Sequence, residues 1–212
     1  MFSNPSRTST DPEHRRTSLS LASVALAALG ALLLASSASA ASTACPATTT
    51  STPFSSWGDA NSYSLVPGGN FESSPTGWTI SGAASRVAGS DPFAITGSLG
   101  SWSLGLPAGS SAQSPFVCVE GTERTYRFMA HSQGAAAIVE PELVYETALG
   151  NITIPNRPVT VTSSWEPSPI LHTGALLITA ITGQSAHLAL HFTTLAGKAV
   201  IDDVFIDPRM RR

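Results

Sequence analysis

The sequence predicts an all-β domain, a sandwich or barrel of antiparallel strands, and three observations point to it. From Trp57 to Asp207 the chain is a series of short runs of strand length. Turn-forming clusters separate them, at Pro67–Asn70, Pro75–Gly77, Ala88–Pro92, Gly97–Gly100, Pro107–Gly109 and Ala196–Gly197. Within the longer runs, apolar residues fall on alternate positions, as a strand with one buried face requires.

In chain order, strands are expected at 77–81, 102–106, 114–119, 124–132, 138–147, 151–154, 159–163, 170–173, 186–194 and 199–207. In the first two, Trp78 and Trp102 alternate with small or polar residues, which makes both core residues. In 124–132, Tyr126, Phe128 and Ala130 form the core face, and Arg127, Met129 and His131 the other. In 138–147, Val139, Leu143 and Tyr145 point inward while Glu140, Glu142, Val144 and Glu146 point away. In 186–194, Leu188, Leu190 and Phe192 are core, opposite His187, Ala189, His191 and Thr193. The remaining strands are runs bounded by turn residues. Residues 175–181 suit either a short helix or a strand. If the three long strands are neighbours in one sheet, its outward face collects Arg127, His131, Glu140, Glu142, His187 and His191, the candidate ligand-binding residues.

Composition narrows the function. There are 11 Lys plus Arg against 14 Asp plus Glu, only 12% of residues are charged, and the net charge is -3. No dense basic face can be built from this, so nucleic acid is excluded as a partner. A hydrophobic content of 42% is too high for a disordered chain.

Residues 1–40 form an address rather than a structural element. Polar residues ending in Arg15 and Arg16 precede an uncharged run from Leu19 to Ala35, and Ala38-Ser39-Ala40 follows. This is the pattern of a secretory signal peptide cut after Ala40, or of the same segment retained as an anchor; either exports the domain to the extracellular space or cell surface. Its removal takes three arginines and two acids, leaving eight basic and twelve acidic residues and no membrane span. A Ser/Thr/Pro-rich stretch, 41–56, reads as a linker or a pinned surface arm, before a domain from 57 to 208 and a basic tail at 209–212. Two cysteines remain, Cys45 and Cys118, and an even count in an exported chain predicts one disulfide. A single lysine beside ten arginines, with abundant Ala, Ser and Thr, suggests a GC-rich bacterial genome.

No catalytic constellation is complete. Gly183-Gln184-Ser185-Ala186-His187 lacks the second glycine of a nucleophile elbow and its strand-to-helix setting. His187 and His191 share a strand face but stand about 13 Å apart at roughly 3.3 Å per residue, too far for one metal. Glu140 and Glu142, about 7 Å apart along a strand, read as a solvated face rather than a glycosidase pair. The chain is therefore expected not to be an enzyme.

Three segments carry a family resemblance: Gly69-Asn70-Phe71-Glu72, then Gly77-Trp78-Thr79-Ile80-Ser81-Gly82, and Val200-Ile201-Asp202-Asp203-Val204-Phe205-Ile206-Asp207. They resemble the opening and closing strands of the jelly-roll carbohydrate-binding modules found beside cellulases and xylanases, within the galactose-binding-like sandwiches. Tyr126-Arg127-Phe128 and Ser164-Trp165 are similar to that family's central strand and later tryptophan. The resemblance implies a jelly roll, a glycan or cell-envelope partner, and one structural calcium held by Glu72 and Asp202. The sequence departs from the family in placing no aromatic on the outward face. Trp57, Trp165 and Tyr63 lie near loops and could reach solvent or plug the sandwich ends. The expectation is a non-catalytic, exported binding module for polysaccharide or envelope glycan. The alternative is a structural or adhesive surface protein that binds a protein partner and has no sugar site.

Overall fold

The computed structural model describes residues 45–74, 77–121, 125–175 and 185–207. The export segment, the basic tail and residues 176–181 of the ambiguous piece lie outside the described residues. The strands are β1 (Ser64–Leu65), β2 (Thr79–Ser81), β3 (Ser85–Ala88), β4 (Trp102–Pro107), β5 (Ser111–Gln113), β6 (Val117–Glu120) and β7 (Thr125–Ser132). They continue with β8 (Ala137–Thr147), β9 (Gly150–Pro155), β10 (Val159–Val161), β11 (Glu166–Pro167), β12 (Leu171–His172), β13 (Ser185–Ala196) and β14 (Lys198–Ile206). Two seven-stranded antiparallel sheets result. Sheet I runs β11-β7-β14-β4-β3, with β1 also on β14 and β12 also on β7. Sheet II runs β10-β8-β13-β5-β2, with β6 also on β13 and β9 also on β8.

The two sheets close on one core. Sheet I contributes Leu104, Leu106, Tyr126, Phe128 and Ile201, and sheet II contributes Val139, Leu143, Tyr145, Leu188, Leu190 and Phe192. The inward and outward faces are those the period-two alternation predicts. Trp78 is buried as expected, edge-on to Phe71 at 4.9 Å between ring centroids, and its Nε1–H donates to the Pro67 carbonyl at 2.9 Å. That bond satisfies the one polar atom the indole brings inside. Trp102 is half-exposed instead of buried, because it opens its strand at the sandwich rim; the Arg86 guanidinium lies 4.0 Å above its ring.

Sheet membership departs from expectation. β7 and β8 are consecutive but belong to different sheets, since residues 133–136 arch across the end of the sandwich instead of forming a hairpin. The β13–β14 link makes a second crossing at Gly197, where φ is 75° and a Cβ would lie 2.9 Å from the Ala136 carbonyl oxygen. Glycine is required there by both close approach and backbone angle.

The N-terminal arm is pinned, not a linker. The disulfide joins Cys45 to Cys118 of β6, and the arm then runs across the outer face of sheet I. There Phe54, Tyr63, Met129 and Phe205 form a second core, with Trp57, Leu65, Ile95 and Trp165 packed against it. Of the placements left open for Tyr63, solvent or a buried plug, the structure gives a fully buried one, its ring meeting Phe54 edge-on at 5.1 Å.

Candidate ligand face and carboxylate clip

The two crossings divide the six candidate ligand residues between two sheets. Arg127 and His131 project from β7 on the outer face of sheet I, beneath the arm and the Trp165 loop. Arg127 Nη1 donates to Asp59 Oδ2 at 3.0 Å, while Nε and Nη2 both donate to the Ser168 carbonyl. Tyr63 Oη–H donates to the same Asp59 oxygen at 2.8 Å. Burial raises the Asp59 carboxyl, but the bonds from Tyr63, the Asn61 N–H and Arg127 outweigh it and hold the group below the usual carboxylate range. The His131 ring meets Trp165 at a tilt of 46°, 4.3 Å between centroids, and burial pulls its imidazole below the ordinary value. Neither residue shares a face with the other four, so the expected six-residue surface is corrected to a smaller one.

Glu140, Glu142, His187 and His191 do come together, on the outer face of sheet II. β8 and β13 pair in a register that sets His187 opposite Glu146, His191 opposite Glu142 and Thr193 opposite Glu140. His187 Nδ1 lies 2.8 Å from Glu146 Oε2, and His191 Nδ1 lies 2.6 Å from Glu142 Oε2. The outer pair is open, with side chains 57% and 55% exposed; the inner pair is sheltered, at 23% and 22%. Flanking strands extend two polar rungs across the sheet. Thr79, Gln113, His191 and Glu142 make one, and Ser81, Ser111, Thr193 and Glu140 the other. Ala189 and Val144, both buried, form a flat floor between the two imidazole–carboxylate pairs. Glu146 and Gln113 were not expected as candidates; cross-strand register, which no single strand reveals, brings them in.

A second group of polar residues sits where the opening turn meets the closing strand. Glu72 and Asp202, the expected calcium ligands, are joined here by Asp91 and Asp203. Carboxylate oxygens of Asp91, Asp202 and Asp203 lie within 4.8 Å of one another, and all three residues are buried. Asp202 Oδ2 accepts the Ser90 hydroxyl at 2.7 Å and the Asp91 N–H at 3.3 Å. Glu72 Oε1 accepts the N–H groups of Ser101 and Trp102 at 2.8 and 2.9 Å. A Cβ on Gly100 would stand 2.5 Å from both Glu72 Oε1 and Ser90 Oγ, so the two oxygens face each other across that glycine. Phe71 and Asp203 hold φ of 52° and 47°, backbone angles that side chains rarely adopt, and both flank the cluster.

Among the described residues, no cationic side chain forms an ion pair with Asp91, Asp202 or Asp203. Burial pushes the Asp202 carboxyl up to about 7 despite the bonds from Ser90, Asp203 and Asp91. Burial also raises Asp203, helped by hydrogen bonding to Asp91 and by the charges of Asp202, Asp91 and Glu72. Three buried carboxylates supported by strained backbone form an all-oxygen donor set of the kind that a hard dication takes. The residues thus fit the metal that the resemblance implies. The signal for the two additional acids was present as Asp91-Pro92 in a turn and as the Asp202-Asp203 doublet.

No protein-family model matches the chain, and no curated protein matches it in sequence. Solved structures match it in fold. The CBM22-1–CBM22-2 tandem domain of Paenibacillus barcinonensis Xyn10C is 14% identical, with a TM-score of 0.52 over 79% of this chain and 49% of that one. The CBM22-1–GH10 modules of Clostridium thermocellum xylanase 10B, complexed with xylohexaose, are 17% identical, with a TM-score of 0.49 over 66% of this chain. This chain spans only 27% of that larger protein. The CBM22-1 xylan-binding domain of the Paenibacillus enzyme is 14% identical, with a TM-score of 0.47 over 68% of this chain and 93% of that one. The chain therefore has the β-sandwich jelly-roll fold of carbohydrate-binding modules, as its strand signatures lead one to expect.

Proposed function

We propose that this protein is an exported, non-catalytic glycan-binding module whose ligand lies on the outer face of sheet II. The observation that carries this reading is the ordered polar surface built on the sheltered His191–Glu142 pair and the open His187–Glu146 pair. Sheet I is covered by the chain's own arm, whereas this face presents paired acceptors in fixed register. Hydrogen-bonding rungs on a rigid sheet suit recognition of a hydroxyl-bearing polymer. The carbohydrate-binding modules that share the fold support the same ligand class, and the disulfide supports export. Among the described residues no helix is long and apolar enough to cross a membrane. One calcium, held by Asp91, Asp202 and Asp203 with Glu72 beside them, would clip the opening turn to the closing strand.

A protein partner has less support. Three of the exposed large apolar side chains, Leu99, Leu149 and Ile170, belong to three separate connections between strands. The experiment is a titration of the protein with soluble oligosaccharides, comparing wild type with a His191→Ala/Glu142→Ala variant of unchanged melting temperature. Saturable binding to one glycan class, weakened at least tenfold in the variant, is expected. Silence across the panel, or binding indifferent to the variant, contradicts the reading.

A further inference from the structure

We infer that the free edge of β9 is an interface between two copies of this chain, which pair antiparallel through Asn151 and Thr153 and join their two copies of sheet II into one. The Asn156 N–H donates to the Pro141 carbonyl at 2.8 Å, continuing the β8–β9 register that sets Glu142 opposite Pro155. In an antiparallel pair a residue's N–H and C=O point the same way, and successive residues alternate sides. Ile152 and Ile154, in phase with Asn156, therefore turn their backbone groups toward β8, while Asn151, Thr153 and Pro155 turn theirs away. The proline agrees with that phase, since an edge strand holds proline where the missing N–H would face outward. Among the described residues no other strand pairs with β9, and the outward N–H and C=O groups of Asn151 and Thr153 make no backbone bond.

The other sheet margins are protected and this one is not. An unpaired edge is a template for association, and native proteins blunt it by shortness, charge or proline. β1, β2, β10, β11 and β12 have only two or three residues each. The four-residue strands β3 and β6 carry Arg86 and Glu120, and the disulfide ties β6 to the arm. β9 has six residues and no charge, and all of them except Ile154 are exposed. Blunting begins only past the free stretch, at Pro155, Arg157 and Pro158, before β10 continues the margin.

A second copy of the chain is the occupant this edge fits. The Ala148-Leu149 turn at one end and Pro155 at the other confine pairing to 150–154, whose centre is Ile152. A two-fold axis through Ile152 sets Asn151 opposite the partner's Thr153, so each outward N–H meets an outward carbonyl. Ile152, 48% exposed, then meets the partner's Ile152 as a closely spaced, non-hydrogen-bonded pair. No like charges face each other, because Glu146 stands opposite Asn151 and Val144 opposite Thr153 on β8. An axis normal to the sheet leaves both outer faces on the same side. The two His–Glu surfaces then lie side by side and engage one polymer with greater avidity; that consequence, unlike the dimer, rests on the glycan reading.

The test is sedimentation velocity on the purified protein with no glycan present. A monomer–dimer equilibrium is expected between about 5 and about 500 μM, the behaviour of a small, transient interface. Thr153→Pro removes a donor that faces away from β8, so this variant should stay folded and monomeric. Ile152→Lys places like charges on the axis and should also be monomeric, and it decides the outcome if the proline variant unfolds. The wild-type chain has no free thiol, so an Ile152→Cys variant should form a disulfide-linked dimer on oxidation where Leu149→Cys, off the axis, does not. A wild type that is monomeric across the range, a dimer that survives both Thr153→Pro and Ile152→Lys, or equal cross-linking from positions 149 and 152 overturns the inference. The glycan reading stands or falls separately, on the oligosaccharide titration.

Discussion

Replacing Asp59 by Ala is expected to cost about 3–5 kcal/mol of stability, the range for removing one partner of a buried ion pair. The Arg127 and Asp59 side chains are 9% and 5% exposed, so the guanidinium left behind would find little water. Its two bonds to the Ser168 carbonyl satisfy donors but do not neutralise the charge. The loss extends beyond the pair, because Tyr63 Oη–H donates to the same carboxylate and Phe54 lies under the guanidinium at 4.7 Å. The arm's second core would loosen with it. Urea unfolding should show a lower midpoint at unchanged slope. An Asp59→Ala/Arg127→Met double variant should recover most of the loss, since the stranded charge is then gone. A loss below 1 kcal/mol for Asp59→Ala would mean that water already reaches the pair.

The second large effect is a stability that falls as pH rises when no dication is present. In the unfolded chain, Asp202 ionises near the ordinary aspartate value of about 3.9; folded, burial holds its proton until about 7. Between those values the native state binds more protons, so the stabilising contribution is complete below pH 4 and declines through pH 7. Asp202 alone accounts for on the order of 4 kcal/mol at about 1.4 kcal/mol per unit, and Asp203, shifted the same way, extends the decline upward. Calcium should reverse the trend, because it takes ionised carboxylates and so stabilises more at high pH. At one hundred times its dissociation constant it adds about 2.7 kcal/mol. Melting temperatures in chelator and in calcium, at pH 5 and pH 8, check both signs. Asp202→Asn should raise the chelated melting temperature at pH 8 and abolish the calcium response. A melting temperature that rises with pH in chelator would contradict the assignment of uncompensated buried acids.

Strand positions and faces were legible from local pattern. Tyr126, Phe128, Leu188, Leu190 and Phe192 alternate with polar neighbours, and each points inward. Their partners were not legible, because pairing is decided by residues distant in sequence. The turn Gln133-Gly134-Ala135-Ala136 is as compatible with a hairpin as with the sheet-to-sheet arch it forms. That one choice moved Arg127 and His131 away from the glutamates and histidines. Short strands such as Ser85–Ala88 and Ser111–Gln113 carried too few residues to show a period. Tryptophan position relative to a strand mattered as well: Trp78, one residue before β2, reaches the core, while Trp102 keeps the inward phase but opens its strand at the rim. The Ser, Thr and Pro that dominate the arm left a linker and a pinned surface arm equally open, and the disulfide at Cys45 together with Phe54 in the second core decides for the pinned arm. Of the acid cluster, the segments bearing Glu72 and Asp202 stood out through family resemblance, whereas Asp91 enters through a 111-residue contact that only the fold creates.

The most direct measurement of the central claim is to follow backbone amide resonances while a bound oligosaccharide is titrated into the protein. Shifts should concentrate at Gln113, Glu142, His191 and Thr193 and fade toward β7 and the arm. Shifts centred on Arg127, His131 and Trp165 would place the ligand on sheet I and contradict the account.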